Sequence, residues 1–365
     1  MNYLTLPEIE SLFDQTATQQ HFTLRTCGYS REERPIRLLS FMKNTKDKPV
    51  PKNLLLYGGE DATEPVFSQT FVQLLEALQN SNHPIHDFPF HWHFISCINP
   101  DGYVRNSQWF HRPGDLDAFF EHGWEDPHPE MLFWNTQSPR PETKTLHKVI
   151  AELQPALIYN MHDESHFPAD GYKFAFSKPL DMNIFSAHLK KVADFMDLSE
   201  EELVITEGYG REEGFSVAPA LKQSPEPFIV INEACGYKRL QPEQAQLTSE
   251  VIKALQDYGC CLDSPDVRHI PELASARFHV RTLLGTTDSE APFNVKMLAL
   301  TGHGFALLKK ALPAERTSLQ HIEQTLRDFM HFHFDRHYTP VPVEQQVLAQ
   351  YDFLTTLLFY RDELF

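Results

Sequence analysis

The stretch that decides the fold is NLLLYGGEDATEPVFSQTFVQLLEAL, residues 53–78. Its first five residues form a short apolar run, which a pair of glycines at 58–59 ends. From residue 67 to residue 78 the apolar side chains recur at helical spacing. The stretch therefore predicts a strand, a loop and a helix in that order.

The same order recurs further along the chain. Strands are predicted at 91–98, 156–160 and 228–232, and helices at 142–153 and 241–258. Strands that alternate with helices predict an α/β fold, in which a mostly parallel mixed sheet has helices on both faces. In such sheets, ligands bind at the carboxyl ends of the strands.

Composition limits the class of protein. The chain has 365 residues, is 41% apolar and carries a formal net charge of −18, which predicts an ordered domain with a smaller appendage. Because Lys and Arg form no basic run, we expect neither nucleic acid nor an anionic membrane as a partner. The chain shows no signal-peptide pattern and no membrane-spanning apolar run. Its five cysteines lack paired metal spacing, so a cytoplasmic location is predicted.

Four polar residues fall where predicted strands end: Asp61, Glu64, His162 and Glu233. Two carboxylates three residues apart and a distant histidine can supply three metal ligands and leave one position open for water. A further carboxylate can then act as a general base toward that water.

Each of these residues also has a simpler interpretation. Asp61 can cap the helix that begins near Pro65, with Glu64 completing a capping box, and spacing alone favours this alternative. A single histidine such as His162 is more often hydrogen-bonded than a metal ligand. A glutamate at a strand end, such as Glu233, is more often a solvated carboxylate.

Six segments resemble, in the same order, the carboxypeptidase A-type zinc peptidases. The segments are residues 28–36 (GYSREERPI), 58–65 (GGEDATEP), 99–103 (NPDGY), 138–143 (SPRPET), 160–162 (NMH) and 229–233 (IVINE). The second resembles the family's Gly-x-His-x-x-Glu metal motif, and the last resembles the strand that bears its catalytic glutamate. The resemblance covers about residues 1–262, which we predict to be a catalytic domain. Residues 263–365 are predicted to be a C-terminal extension of unknown role.

The resemblance implies a catalytic metal centre. One zinc ion would be held by Asp61, Glu64 and His162, and Glu233 would be the general base in the hydrolysis of an amide bond. The family has histidine where this chain has Asp61. Carboxylate oxygen also binds zinc, but a second anionic ligand makes the ion a weaker Lewis acid and makes manganese more plausible.

Substrate binding departs from the family pattern. Where the family has an Asn-Arg pair that grips the terminal carboxylate of the substrate, this chain has Asp117 and Ala118. The upstream arginine of the family falls near Gln108, with Arg105 and Arg112 as displaced substitutes.

The resemblance also points to a glycine-flanked loop. Tyr209 is the candidate for the proton-donating tyrosine, and Arg211 is placed to help bind an anionic group. A turn without a catalytic part is the alternative for both residues.

Two functions remain open. The leading prediction is a metal-dependent hydrolase that cleaves an amide bond in a peptide, a peptidoglycan fragment or an N-acyl amino acid. The alternative is an inactive pseudopeptidase that binds a ligand in the same cleft.

Overall fold

The computed structural model describes residues 2–42, 51–107, 117, 120, 140–164, 172–178, 186, 189–193, 203–207, 226–239, 247–285, 298, 301–302 and 304–361. The main strands are β1 (Phe22–Tyr29), β2 (Pro35–Phe41), β3 (Lys52–Gly58), β4 (Phe90–Ile95), β5 (Leu157–Glu164), β6 (Tyr172–Phe176), β7 (Leu203–Glu207) and β8 (Phe228–Cys235). Within the described ranges they form one sheet in the order β1-β2-β4-β3-β5-β8-β6-β7. A separate antiparallel pair joins β9 (Tyr237–Arg239) to β10 (Tyr338–Pro340).

The centre of the sheet is parallel. Strands β4, β3, β5 and β8 run side by side in one direction, whereas β2 and β6 run antiparallel to their neighbours β4 and β8. Leu54, Leu55 and Leu56 of β3 are all fully buried, because both faces of a central parallel strand are covered.

Helices cover both faces of the sheet. The described helices are α1 (Leu6–Ala17), α2 (Val66–Gln79), α3 (Pro100–Asn106), α4 (Pro141–Leu153), α5 (Ser249–Leu262), α6 (Ala274–Gly285), α7 (Gly304–Ala311), α8 (Arg316–His337) and α9 (Val343–Phe359). On one face, Val149 of α4 belongs to the same buried cluster as Leu55 and Tyr57. On the other, α1, α2 and α9 share a cluster with Leu54 and Leu56. The predicted α/β fold, with a mixed sheet between two helical layers, is confirmed.

The last helix belongs to the layer that covers the sheet. Helix α9 packs against α2 and β8, and the ring centroid of its Phe353 lies 4.4 Å from that of Phe174 in β6. Helix α5 packs against α6 and α8. One hydrophobic cluster includes residues from both 1–262 and 263–365. The division of the chain between residues 262 and 263 stays a prediction.

Two strands extend further than the sequence predicts. Strand β5 continues to Glu164 and β8 to Cys235, because the two strands pair along their whole length. His162 therefore lies within β5 and not beyond its end. Helix α5 begins at Ser249, after residues 240–246, which lie outside the described ranges. No helix in the described part of the chain is long and apolar enough to cross a membrane.

Candidate metal centre

The loop after β3 is shaped by Gly59. This residue has a φ of +68°, in the left-handed region that favours glycine, and a Cβ there would lie 2.8 Å from Sγ of Cys97. The N–H of Asn99 donates to the carbonyl of Gly59 at 3.1 Å, and the N–H of Glu64 donates to the carbonyl of Asp61 at 3.1 Å. These bonds hold Asp61 and Glu64 in a tight turn at the carboxyl end of β3.

The capping alternative for Asp61 and Glu64 is wrong. Helix α2 begins after the N-cap residue Pro65, which makes no side-chain cap hydrogen bond. The N–H of Val66 donates instead to Oδ2 of Asp163, on β5, at 2.6 Å. A carboxylate is the favourable partner for the positive end of the helix dipole. Asp163 therefore takes the place at the helix N-terminus that spacing assigned to Asp61.

Asp61, Glu64 and His162 form one cluster. A ligand atom from each lies within 4.8 Å of the others, and among the described residues this is the one group of three or more acidic, histidine or cysteine residues that meets this distance. Nδ1 of His162 lies 2.6 Å from Oε2 of Glu64 and 3.5 Å from Oδ2 of Asp61. The structure therefore brings together the three residues that the sequence predicts as metal ligands.

Buried negative charge dominates this cluster. Burial, followed by repulsion from Asp61, raises the pKa of Glu64 well above its ordinary value. Burial lowers the pKa of His162, but the charges and hydrogen bonds of Glu64 and Asp61 outweigh it and raise this pKa well above its ordinary value. Oδ1 of Asp61 is buried and has no hydrogen-bond partner among the described residues. A cation would stabilise such a site.

The donor set fits zinc. Two carboxylate oxygens and one imidazole nitrogen are ligands that zinc accepts, and three protein ligands leave a fourth position for water. The orphaned oxygen of Asp61 is a further acceptor that a metal ion would satisfy.

Glu233 lies beside His162 on the neighbouring strand. In the parallel pairing of β5 and β8, the two residues occupy the same register position, so their side chains leave the same face of the sheet. The charge of Glu233 also contributes to the raised pKa of Glu64. The Glu233 carboxylate is therefore within electrostatic reach of the three candidate ligands.

Glu60 is a buried carboxylate of the site that the sequence analysis missed. Its Oε2 lies 3.9 Å from Nε2 of His162 and accepts a hydrogen bond from Nδ2 of Asn160 at 2.8 Å. At 3.9 Å the contact with His162 is electrostatic and longer than the hydrogen bond by which a carboxylate orients a metal-binding imidazole. Asn160 and His162 are two residues apart and therefore lie on the same face of β5. This spacing was the signal in the sequence that Asn160, the partner of Glu60, lies near the site.

Residues 99–103, one of the segments that resemble the family, connect two loops through Asp101. Asp101 is fully buried and accepts hydrogen bonds from Oγ of Ser30 at 2.6 Å, from N of Glu32 at 2.9 Å and from Nη1 of Arg34 at 2.7 Å. Residues 28–36 and 99–103, which both resemble the family, therefore meet at this carboxylate. Its hydrogen bonds support the loops around the sheet edge.

Two predicted substrate-binding residues are engaged in ion pairs. Nη2 of Arg105 lies 2.7 Å from Oε1 of Glu32. Oδ1 of Asp117 accepts from Nη1 of Arg327 at 2.6 Å and lies 3.0 Å from Nε2 of His331, both on α8. Burial raises the pKa of Asp117, but these two partners outweigh burial and lower it. Five other predicted positions lie outside the described residues, and their roles stay predictions: Gln108, Arg112, Ala118, Tyr209 and Arg211.

A sequence profile of the zinc carboxypeptidase family matches residues 9–199, just over half of the chain. The chain belongs to the zinc carboxypeptidase family. The matched range contains Asp61, Glu64 and His162 but ends before Glu233. No curated protein matches the chain.

Solved structures of carboxypeptidases are similar at low identity. Carboxypeptidase A from Helicoverpa armigera is 16% identical with a TM-score of 0.44, and the match covers 65% of each chain. A metallo-carboxypeptidase from Burkholderia cenocepacia is 15% identical with a TM-score of 0.40, over 62% of this chain and 59% of its own. Bovine thrombin-activatable fibrinolysis inhibitor, solved with tick carboxypeptidase inhibitor, is 15% identical with a TM-score of 0.40, over 64% of this chain and 86% of its own. The chain thus spans less than two thirds of the first two structures.

Proposed function

We propose that the protein is a metal-dependent hydrolase that cleaves an amide bond in a peptide or an N-acyl amino acid. The observation that carries the proposal is the meeting of Asp61, Glu64 and His162 within 4.8 Å, with Glu233 at the register position beside His162. Three protein ligands with an open fourth position are the usual arrangement of a catalytic zinc site. Membership of the zinc carboxypeptidase family supports a peptide-like substrate.

The roles of the site residues follow from their chemistry. Asp61, Glu64 and His162 would hold one zinc ion, with manganese as the second candidate because two of the three ligands are carboxylates. When bound, the ion would supply Lewis-acid activation of a water molecule and of the scissile carbonyl. Glu233 would accept the proton of the attacking water and then donate it to the leaving amine.

Substrate recognition and proton transfer would involve four residues outside the candidate metal centre. Tyr209 would donate a proton during the reaction, and Arg105, Arg112 and Arg211 would bind an anionic part of the substrate. These roles rest on the family resemblance. The cytoplasmic location also stays a prediction.

Asp117 would select substrates by charge. As an acid in the position of the family's asparagine, it would repel a terminal carboxylate or attract a cationic side chain. We expect Asp117→Asn to change the preference between peptides that end in lysine and peptides that end in glutamate. An unchanged preference would show that the ion pairs of Asp117 with Arg327 and His331 are its whole role.

The test of the proposed hydrolase is turnover by the metal-loaded protein. Wild type and Glu233→Gln are incubated with zinc or manganese and a panel of peptides and N-acyl amino acids, and the released amine is measured. We expect Glu233→Gln to bind metal as wild type does and to lower turnover by about 10²- to 10⁴-fold, because the general base is lost. Glu250→Gln, at an exposed position of α5, is the matched control and should keep full turnover.

The second candidate function is an inactive family member that binds a ligand in the same cleft. The presence of Asp61, where the resemblance places a histidine, favours it. Metal binding without amine release from any member of the panel would support this function and contradict hydrolysis.

A further inference from the structure

We infer that Gln350 is a positioning residue that joins the strand of the metal ligand His162 to the strand of the base Glu233. The inference deepens the proposed function and rests on it. Gln350 lies in α9, well beyond residues 9–199, which match the zinc carboxypeptidase family. The residue that joins the two strands therefore comes from the C-terminal part of this chain.

The contacts of Gln350 link the two strands directly. Its side chain is fully buried. Nε2 donates to the backbone carbonyl of His162 at 3.0 Å and to the backbone carbonyl of Asn232 at 2.9 Å. A primary amide has two N–H groups, so one side chain serves both carbonyls at once. His162 is the ligand itself, and Asn232 directly precedes Glu233.

Two further side chains fix the orientation of this amide. The hydroxyl of Tyr159 lies 3.0 Å from Oε1 of Gln350, and Nδ2 of Asn232 donates to that hydroxyl at 2.5 Å. Tyr159 and Asn232 are both fully buried. The same hydroxyl also lies 3.1 Å from the backbone carbonyl of Gln350, so Oε1 and this carbonyl share its one proton. The backbone carbonyls of His162 and Asn232 are acceptors, so the donor end of the amide, Nε2, faces them.

Loss of the amide would therefore act on the metal centre. The backbone carbonyls of His162 and Asn232 would each lose the hydrogen bond that connects them to α9, and with it a link between the ends of β5 and β8 in a buried region. The ends of β5 and β8 would then shift relative to each other, and with them His162 and Glu233. Changes to residues that orient metal ligands weaken metal binding by about 10- to 100-fold.

The same helix offers a matched control one turn away. Gln346 is also buried. It accepts from the hydroxyl of Tyr3 at 2.9 Å and donates to the carbonyl of Val341 at 2.9 Å. Gln346→Met thus removes a buried amide and its hydrogen bonds from α9, while the bonds of Gln350 remain.

The experiment compares zinc affinity in Gln350→Met, Gln346→Met and the wild-type full chain. Affinity is measured by competition with a chromophoric chelator, and the unfolding free energy of each metal-free protein is measured in urea. We expect Gln350→Met to weaken zinc binding by about 10- to 100-fold. Gln346→Met should leave zinc affinity unchanged, even though its stability falls by a similar amount.

Three results would overturn the inference. The first is a folded Gln350→Met protein with wild-type zinc affinity, and the second is an equal loss of affinity in both glutamine variants. The third applies if Gln350→Met does not fold. Tyr159→Phe then takes its place, because it keeps the ring and removes the hydroxyl that orients the amide, and unchanged zinc affinity in Tyr159→Phe would overturn the inference. A wild-type protein that binds no zinc is a distinct outcome, which contradicts the proposed function and the inference with it.

Discussion

A buried histidine should make the stability of the protein depend on pH. His93 in β4 is 3% exposed. Its Nδ1 lies 2.8 Å from Oγ of Ser40 and its Nε2 lies 3.1 Å from Oδ1 of Asn53. A neutral imidazole satisfies both partners, with Nε2–H as donor and Nδ1 as acceptor. Burial, with smaller contributions from His91 and Arg25, lowers the pKa of His93 from 6.5 to about 4.

The size of the effect follows from this shift in pKa. Below pH 6.5 the unfolded chain binds a proton that the folded chain does not bind, so stability falls as the pH falls. One pKa unit corresponds to about 1.4 kcal/mol, and the full shift is therefore about 3 kcal/mol. About 2 kcal/mol of this contribution to the unfolding free energy is lost between about pH 7 and pH 5, and most of the remainder by about pH 4.

Urea unfolding of wild type and His93→Gln at several pH values between about 7 and 5 measures this effect. His93→Gln lacks the titrating ring, so the difference in unfolding free energy between the two proteins should narrow by about 2 kcal/mol as the pH falls. His269→Gln, at an exposed position, controls for the loss of a histidine and should run parallel to wild type. A difference between wild type and His93→Gln that stays constant with pH would refute the reasoning.

Three further predictions concern the loops and the ligands. Asp101→Ala should lower the unfolding free energy by about 3 kcal/mol, because it removes the buried acceptor of three hydrogen bonds, from Ser30, Glu32 and Arg34. Glu152→Ala, in an exposed pair, should cost under about 1 kcal/mol, and equal costs in urea unfolding would contradict this. Asp61→His should shift the ratio of zinc to manganese affinity toward zinc by on the order of tenfold, because imidazole is the softer ligand, and competition titrations that show no shift would contradict it. Gly59→Ala should cost about 2 to 5 kcal/mol, because the left-handed backbone costs about 1 to 2 kcal/mol and the overlap of the new Cβ with Sγ of Cys97 adds about 1 to 3 kcal/mol. An unchanged melting temperature would contradict the role of that turn.

The sequence predicts the local elements around the site well. Residues 53–78 contain their own signals, because the apolar run, the two glycines and the helical spacing are all short-range. The predicted helix from 67 to 78 is observed as Val66–Gln79. The order of strands and helices also predicts that Asp61 and His162 meet, since the carboxyl ends of neighbouring parallel strands lie together.

Contacts between distant residues could not be read from spacing. The partner of the α2 N-terminus is Asp163, 97 residues after Val66, and local spacing favoured Asp61 for that role. The amide of Gln350 reaches a carbonyl 188 residues earlier. Two glutamines four residues apart on the buried side of α9 were a signal for buried hydrogen bonds. The neighbouring sequence does not indicate which distant residues are their partners.

The measurement that tests the central claim most directly is the metal content of the purified full chain. Wild type, Asp61→Ala and His162→Ala are treated with excess zinc, freed of unbound metal and analysed for bound metal per chain. The proposed centre predicts about one equivalent in wild type and its loss in both variants, because three ligands are the minimum for such a site. Wild type without bound zinc, or Asp61→Ala that keeps the full equivalent, would contradict the claim that Asp61 is a metal ligand.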